Sequence, residues 1–404
     1  MNKKRRCVIL LTAAVLILSG CANIAQPEAA LLSWQMPEPT SAPKQDKPLE
    51  YYIAASPLLK EEQPETYENI LLLMGEQRVL NDVILFGSGT DTSKGSQKIK
   101  TPNGKTGNYY LLQYQDVRSW AELKTLLKQI YAENYIEEYF IPKCLTSEPL
   151  PLFTEYEGSL YRASVKQSVT APVQSDLKIY QYRTDTYLVS CKLDYGTAKA
   201  EDLYVGILRE NSEKPYGYEL ETELYINGLY ADQPHPYNPL IPLKYDIDGA
   251  VQLDRPNNLD LFDDISFMMI ERSTLNYLIY GYVSGIIQYR DVHSWADFEE
   301  LLKRVYTKEF ISEEITPVCL GGEYPLFTEH DGNLYRADAS GFSNSLTENR
   351  RIYRKNLNSG THFITCELNL HDSQQTGLYI GILREDGEAP YGYLLDIELE
   401  IFPN

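Results

Sequence analysis

The hydrophobic and polar positions of this chain form one long pattern that occurs twice. Trp120, Leu123, Leu127, Ile130 and Tyr131 recur at i, i+3, i+7, i+10 and i+11, one face of a helix. Trp295, Phe298, Leu302, Val305 and Tyr306 repeat that face at the same spacing. Ser119 stands where an N-cap belongs, with Glu122 three residues on, and Ser294 and Asp297 take these places in the second copy. Residues 133–140 predict another turn or two of helix, which Pro142 is expected to stop. Upstream, 66–74 has a helical pattern, while 79–86 and 109–114 read as strands. Downstream, alternating runs take over. Residues 152–156 and 160–165 flank Glu157-Gly158, 177–182 and 187–193 flank Thr184-Asp185, and 203–209 and 218–226 end the copy. The second copy carries Asp331-Gly332 at the first of these turns, a type I′ signal, and repeats the last strands as GLYIGILR and YLLDIELEIF. Its lead-in reads as a helix over 259–270 and an apolar strand over 275–289, and aligns poorly with that of the first copy.

Helices followed by about six strands joined by hairpin-length turns predict an α+β fold. The expectation is two tandem homologous domains, each with helices packed on a curved antiparallel sheet, a cystatin-like/NTF2-like roll by architectural analogy. The first spans 51–230 and the second 231–404, entered through a linker with four prolines at 231–242. The offset that carries Trp120 onto Trp295 is too long for a solenoid and marks a domain duplication.

Residues 1–50 change the picture. Lys3, Lys4, Arg5 and Arg6 precede an apolar run over 8–18, too short for a typical span. Leu18-Ser19-Gly20-Cys21 then resembles the lipobox of bacterial lipoproteins. On that reading 1–20 is a signal peptide and Cys21 carries a diacylglycerol thioether. Residues 21–50, rich in Pro, Ala, Gln and charge, are a flexible tether. Each buried CH2 of an acyl chain contributes roughly 0.8 kcal/mol, so two or more chains hold the protein on the extracytoplasmic face of the cell membrane.

The net charge of −20 argues against nucleic acid and favours basic partners. With 33 Tyr beside 11 Phe, the composition suits half-buried sheet faces. Beyond Cys7 and Cys21 four cysteines remain, Cys144 and Cys191 in one copy, Cys319 and Cys366 in the other, each pair with the same spacing. Outside the cytoplasm that spacing predicts one disulfide per domain.

Catalytic chemistry is not evident. The five His have no partners between copies, and G-x-S-x-G, H-E-x-x-H and C-x-x-C do not occur. The Gly87-Ser88-Gly89 start of a polar loop lacks the third glycine of a dinucleotide frame, and Asp246-Ile247-Asp248-Gly249 has its glycine too early for an EF-hand. The expectation is therefore a non-enzyme with no cofactor and no metal. Two repeated features stand as candidates for partner binding. One is Tyr161-Arg162 with its copy Tyr335-Arg336, just past a tight hairpin. The other is the Pro-Tyr-Gly-Tyr turn, carrying Tyr216 and Tyr218 in one copy, Tyr391 and Tyr393 in the other.

Leu126-Leu127-Lys128, Tyr131, Tyr135-Ile136 and the hairpin from Phe153 to Tyr161 resemble the DL-endopeptidase inhibitor family of Firmicutes. Leu301-Leu302-Lys303, Tyr306, Phe310-Ile311 and the hairpin from Phe327 to Tyr335 repeat the resemblance. It covers about a third of each copy. It implies a surface protein that binds cell-wall hydrolases and blocks their active site. A lipoprotein that binds another envelope ligand or partner is the alternative, with an NTF2-like enzyme third.

Overall fold

The computed structural model describes residues 51–87, 89–147, 150–163, 173–194, 202–227, 245–248, 250–281, 284–337, 345–346, 350–355, 360–369 and 376–403. The lipobox, Cys21 and the tether lie outside these residues.

The first repeat runs β1 (Tyr51–Ile53), β2 (Ser56–Pro57), α1 (Pro64–Asn81), β3 (Gln97–Lys100), β4 (Thr106–Leu111), α2 (Trp120–Ile130), α3 (Glu133–Tyr135), β5 (Phe153–Tyr156), β6 (Ser159–Ala163), β7 (Val173–Gln181), β8 (Thr186–Asp194), β9 (Asp202–Glu210) and β10 (Tyr218–Asn227). The second runs β11 (Asp246–Asp248), β12 (Val251–Gln252), α4 (Leu259–Tyr280), β13 (Gly285–Ile286), α5 (Trp295–Leu302), α6 (Lys308–Phe310), α7 (Thr316–Leu320), β14 (Phe327–His330), β15 (Asn333–Arg336), β16 (Ser345–Leu346), β17 (Arg351–Arg354), β18 (Thr361–Asn369), β19 (Thr376–Glu385) and β20 (Tyr393–Pro403). The fold is α+β with antiparallel sheets.

Three readings of the lead-ins need correction. Residues 79–86 are not a strand: α1 extends to Asn81 and continues as a π-helical turn, Asp82–Phe86. Residues 275–289 are mostly not a strand either, because α4 runs through to Tyr280. Short apolar runs carry no period that separates buried helix from buried strand, and burial of Leu275, Leu278 and Ile279 favours the helix. Pro142 does not stop its segment. Ile141 ahead of it is already helical, and the chain continues through the proline into a further π-helical turn, Pro142–Thr146.

The lead-ins do correspond. Leu58 matches Leu253, whose amides bond Ile179 O and Ile352 O at the same 2.9 Å. The same alignment lays α1 onto α4. Past these helices Trp120 matches Trp295, and the interval from Leu58 to Trp120 exceeds that from Leu253 to Trp295. The excess is the stretch 87–106, which the first repeat holds and the second lacks. Sequence reading missed this because the helix faces keep only their buried positions.

Each repeat builds one large antiparallel meander. Strand order is β11-β10-β9-β8-β7-β2 in one sheet and β1-β20-β19-β18-β17-β12 in the other, with β16 paired to β18. The end strands are exchanged. β1, from the first repeat, pairs with β20 through Ile53 opposite Ile401, and β11, from the second, pairs with β10 through Ile247 opposite Ile226. Both sheets carry the same bulge, at Glu221 and at Asp396.

Alternation along the strands of the two large sheets gives three cores among the described residues, beside a small fourth cluster under β3. On β9, Tyr204 and Leu208 face the helices of the first repeat, while Leu203, Val205 and Ile207 face the opposite way. On β19, Tyr379 and Leu383 face the helices of the second repeat, and Leu378, Ile380 and Ile382 do not. The outward-facing sets meet in one shared core, completed by Leu224, Ile226, Ile397, Leu399 and Ile401. The two sheets therefore pack on each other, with helices on both outer faces. At roughly 1.5–3 kcal/mol per buried aliphatic side chain, this shared core is smaller than either helical one and of the same order of worth. Two small sheets, β3-β4-β6-β5 and β13-β15-β14, close the outer layers. Among the described residues no helix is long and apolar enough to cross a membrane.

Candidate functional site

The helix–hairpin motif is held together by its own polar residues. Ser119 and Glu122 form the expected capping box on α2, and Ser294 and Asp297 form it on α5. The hairpin adds a second cap. Glu155 accepts the amide of Trp120 at 2.7 Å, and Glu329 accepts that of Trp295 at 2.7 Å. The hairpin carboxylate thus sits at a helix N-terminus, where the dipole favours it. The turn itself has Glu157 at φ 48° and Gly158 at 73°, with Asp331 at 47° and Gly332 at 69° in the copy, the two positive values a type I′ turn requires.

The Tyr-Arg candidates separate. Arg162 is buried and clasps the end of the first helix: Nε donates to Ile84 O at 3.1 Å and an Nη to Leu85 O at 2.9 Å. Arg336 does the same to α4, donating to Ile279 O from Nε at 3.1 Å and from an Nη at 2.9 Å. Burial pulls the Arg162 pKa down to about 10. Both arginines are therefore interior braces that satisfy helix C-terminal carbonyls. Tyr161 is also buried, at 7 % exposure, beneath Ile99 of β3. Tyr335 is only half-buried, edge-on to His330 at 6.2 Å.

The Pro-Tyr-Gly-Tyr turns are fastened to the helices. Tyr216 donates to Glu76 on α1, and Tyr391 donates to Glu271 at the equivalent place on α4. These bonds to carboxylates and burial push both phenols up to about 12. Tyr218 packs edge-on against Tyr187 at 5.3 Å, and Tyr393 against His362 at 5.2 Å.

The predicted disulfides are not formed. Cys144, Cys191, Cys319 and Cys366 are all free and buried. Burial pushes each thiol up to about 12. They act as small apolar side chains within the helical cores. Sequence spacing fixes the loop that a bridge would close, not the approach of the two Cβ atoms.

The functional-looking groups that motif reading missed lie on β10 and β20. Glu223 is buried and accepts from Gln77 at 2.5 Å, Tyr135 at 2.9 Å and Tyr204 at 3.0 Å. Desolvation raises its pKa, and the three donors work against that rise. Glu398 repeats the arrangement with Arg272 at 2.5 Å and Tyr379 at 2.7 Å. In each copy the tyrosine lies across a glycine to reach the carboxylate opposite it. A Cβ on Gly206 would stand 2.7 Å from Tyr204 Oη, and one on Gly381 2.9 Å from Tyr379 Oη. Tyr131 bonds Asn81 and Tyr306 bonds Asn276 beside these networks. The signal was present in the chain: Tyr204, Gly206 and Glu223 recur in phase at 379, 381 and 398.

Each network is touched by the other repeat. Lys355, following β17, lies 4.4 Å over the Tyr135 ring and approaches Thr222 Oγ1 at 3.4 Å and Glu221 O at 3.5 Å. Burial pulls its ammonium down to about 8, against the attraction of Glu138, Glu221 and Glu223. At the corresponding place Tyr182 both donates to Glu398 O and accepts from Glu398 N at 3.1 Å. Arg183 donates to Asp396 O and faces Glu314 at 3.4 Å. A hairpin of each repeat thus plugs the bulged strand of the other, where β1 and β11 do not reach. The cavity between Tyr135, Tyr139, Glu223 and Lys355 measures about 20 Å³, room for a water and no more.

The surface of the small sheets differs between repeats. In the first, β4 is covered by β3, and Ile99, Tyr109, Tyr161 and Ala163 form a closed cluster. In the second, β13 has β15 on one side and, among the described residues, no strand on the other. Ile286 is 42 % exposed, and Ala337 is exposed where Ala163 is buried. Comparison of the chain with protein-family models, with curated proteins and with solved structures finds no match.

Proposed function

We propose that this chain is a membrane-anchored surface lipoprotein that acts by binding, without catalysis, and that it restrains cell-wall DL-endopeptidases. The observation that carries the anchoring is Leu18-Ser19-Gly20-Cys21 behind a basic and apolar leader, followed by a Pro- and Ala-rich stretch. The observation that carries the inhibitor reading is the twice-repeated helix and hairpin that resemble the endopeptidase inhibitors. Its residues serve as caps and braces here, so the resemblance is one of scaffold. The finer architecture belongs to the same proposal: each helix-on-sheet repeat is a cystatin-like or NTF2-like roll, and the pair are tandem copies of one ancestral domain. Glu223 and Lys355 line one interior space too small for a substrate, which supports a structural role for them.

The test uses residues 22–404 as one piece, because the exchanged strands make single repeats incomplete. Added to a DL-endopeptidase cleaving muropeptides, the protein lowers the rate in a dose-dependent way. Unchanged cleavage at saturating protein would overturn the inhibitor reading. For the anchor, the protein grown with a radiolabelled fatty acid carries the label and Cys21→Ala does not, and an unlabelled wild type would contradict it.

A further inference from the structure

We infer that the second repeat binds an extended peptide segment of a partner protein along the open edge of β13, as an added strand. The first repeat supplies the template. There Gln113 N donates to Gly89 O at 2.6 Å, Asp91 N donates to Leu111 O at 2.9 Å, and β3 pairs with residues 106–109. All of these covering residues except the paired strand itself fall in 87–106, the stretch that the second repeat lacks.

The backbone of β13 is poised for the contacts that Gly89 and Asp91 make in the first repeat, while residues 282–283, opposite which a strand placed like β3 would run, lie outside the described residues. Ile287 N donates to Leu334 O at 2.9 Å, as Leu112 N does to Leu160 O at 2.9 Å. Peptide groups alternate sides along a strand, so those of Ser284, Ile286 and Gln288 point away from β15. Ser284, Gly285 and Ile286 are exposed. The side chains agree with the backbone. Ile286, Tyr335 and Ala337 stand where Leu111, Tyr161 and Ala163 stand in the first repeat, and there Ile99 lies over them. The second repeat keeps most of that apolar platform and lacks the residue that covers it. An edge whose outward amides meet no strand among the described residues, beside an uncovered apolar patch, is a template for a strand.

The template also defines the occupant. Gln97-Lys98-Ile99-Lys100 turns one apolar residue inward and its lysines outward. A partner segment that alternates apolar and basic residues fits the patch and suits a chain of net charge −20. This site rests on the binding reading and deepens it by naming where a partner is held, and it gives Tyr335 the contact role that Arg336 does not have.

The experiment uses residues 22–404 and a fluorescein-labelled peptide of residues 87–106, read by anisotropy. The expected result is saturable binding that weakens at least tenfold in Ile286→Pro, which removes an outward N–H and no bond to β15. Ile286→Asp keeps the backbone and removes the apolar contact, with the same loss expected. The peptide carrying Ile99→Asp binds at least tenfold more weakly. No binding at millimolar peptide, or undiminished binding by both Ile286 variants, would overturn the inference. Self-association in ultracentrifugation that Ile286→Pro abolishes would overturn it too, in favour of a second copy as occupant. Failure of the endopeptidase assay with peptide binding intact would remove the inhibitor reading and leave this edge standing.

Discussion

Arg162 shows how a residue that reads as a recognition element can belong to the interior. Adjacent strand residues face opposite ways, so one of Tyr161 and Arg162 is expected to face out. Both are buried, because the guanidinium is spent on carbonyls at a helix end. Arg162→Met leaves those carbonyls unpaired and is predicted to cost roughly 2–4 kcal/mol in urea unfolding of residues 22–404. Arg162→Lys recovers little of it, since a single ammonium cannot reproduce the fork. A loss under about 0.5 kcal/mol in Arg162→Met would contradict the brace, given what a buried unpaired carbonyl costs. Lys355 makes the second prediction. Its ammonium is pulled from 10.5 to about 8 by burial, so between these values the unfolded chain binds the proton and the folded chain does not. Stability therefore rises with pH across that window. Relative to Lys355→Met, the wild type gains up to roughly 3 kcal/mol between pH 8 and 10.5. Tyr131, Tyr135, Tyr204, Tyr306 and Tyr379, all raised by burial, make stability fall above about pH 10. They act equally on both proteins, so the difference curve isolates the lysine. A flat difference would contradict that burial.

Among the elements, the exchanged end strands carry the most consequence. β1 belongs by sequence to the first repeat and by hydrogen bonding to the sheet of the second. A chain beginning at Ala55 is predicted to lose amide protection at Phe402, remote in sequence, with little change at Ile226, whose strand keeps its partner β11. Equal protection in both chains would contradict the pairing. Much at this scale was legible beforehand. The helix over 120–130, its capping box, the hairpin at Glu157-Gly158 and the strands of the meander all follow from local pattern and turn chemistry. What was not legible was non-local. Nothing in YYI or YDID says which sheet will take it, because so short a strand carries no register of its own. The C-terminal halves of α1 and α4 hid because buried polar residues interrupt their apolar face: Gln77 and Asn81 in one, Glu271 and Arg272 in the other. Of these, Gln77 and Arg272 build the Glu223 and Glu398 networks, so one feature concealed both the helices and the interior polar sites. The cysteines misled for the opposite reason, since their orderly spacing reflects two equivalent core positions.

At the scale of the whole molecule, the two repeats do not form two independent units. The faces that two such sheets would turn to solvent are joined in one core, their end strands are exchanged, and Tyr182, Arg183 and Lys355 plug the strands between. Edge strands left open would invite aggregation, and each repeat closes the other's. The edge of β13, uncovered among the described residues, is then where the molecule has a place for something outside itself. An asymmetric pair can hold a partner on one repeat while the other maintains the scaffold. All of this rests on the repeats being one cooperative unit, and Trp120 and Trp295, one in each, make that measurable. In a Trp34→Phe background, Trp120→Phe leaves a reporter in the second repeat only, and Trp295→Phe leaves one in the first only. Urea unfolding followed by fluorescence is predicted to give coincident midpoints and equal slopes for the two proteins. Two separated transitions, one for each reporter, would contradict the single unit and with it the exchange of strands.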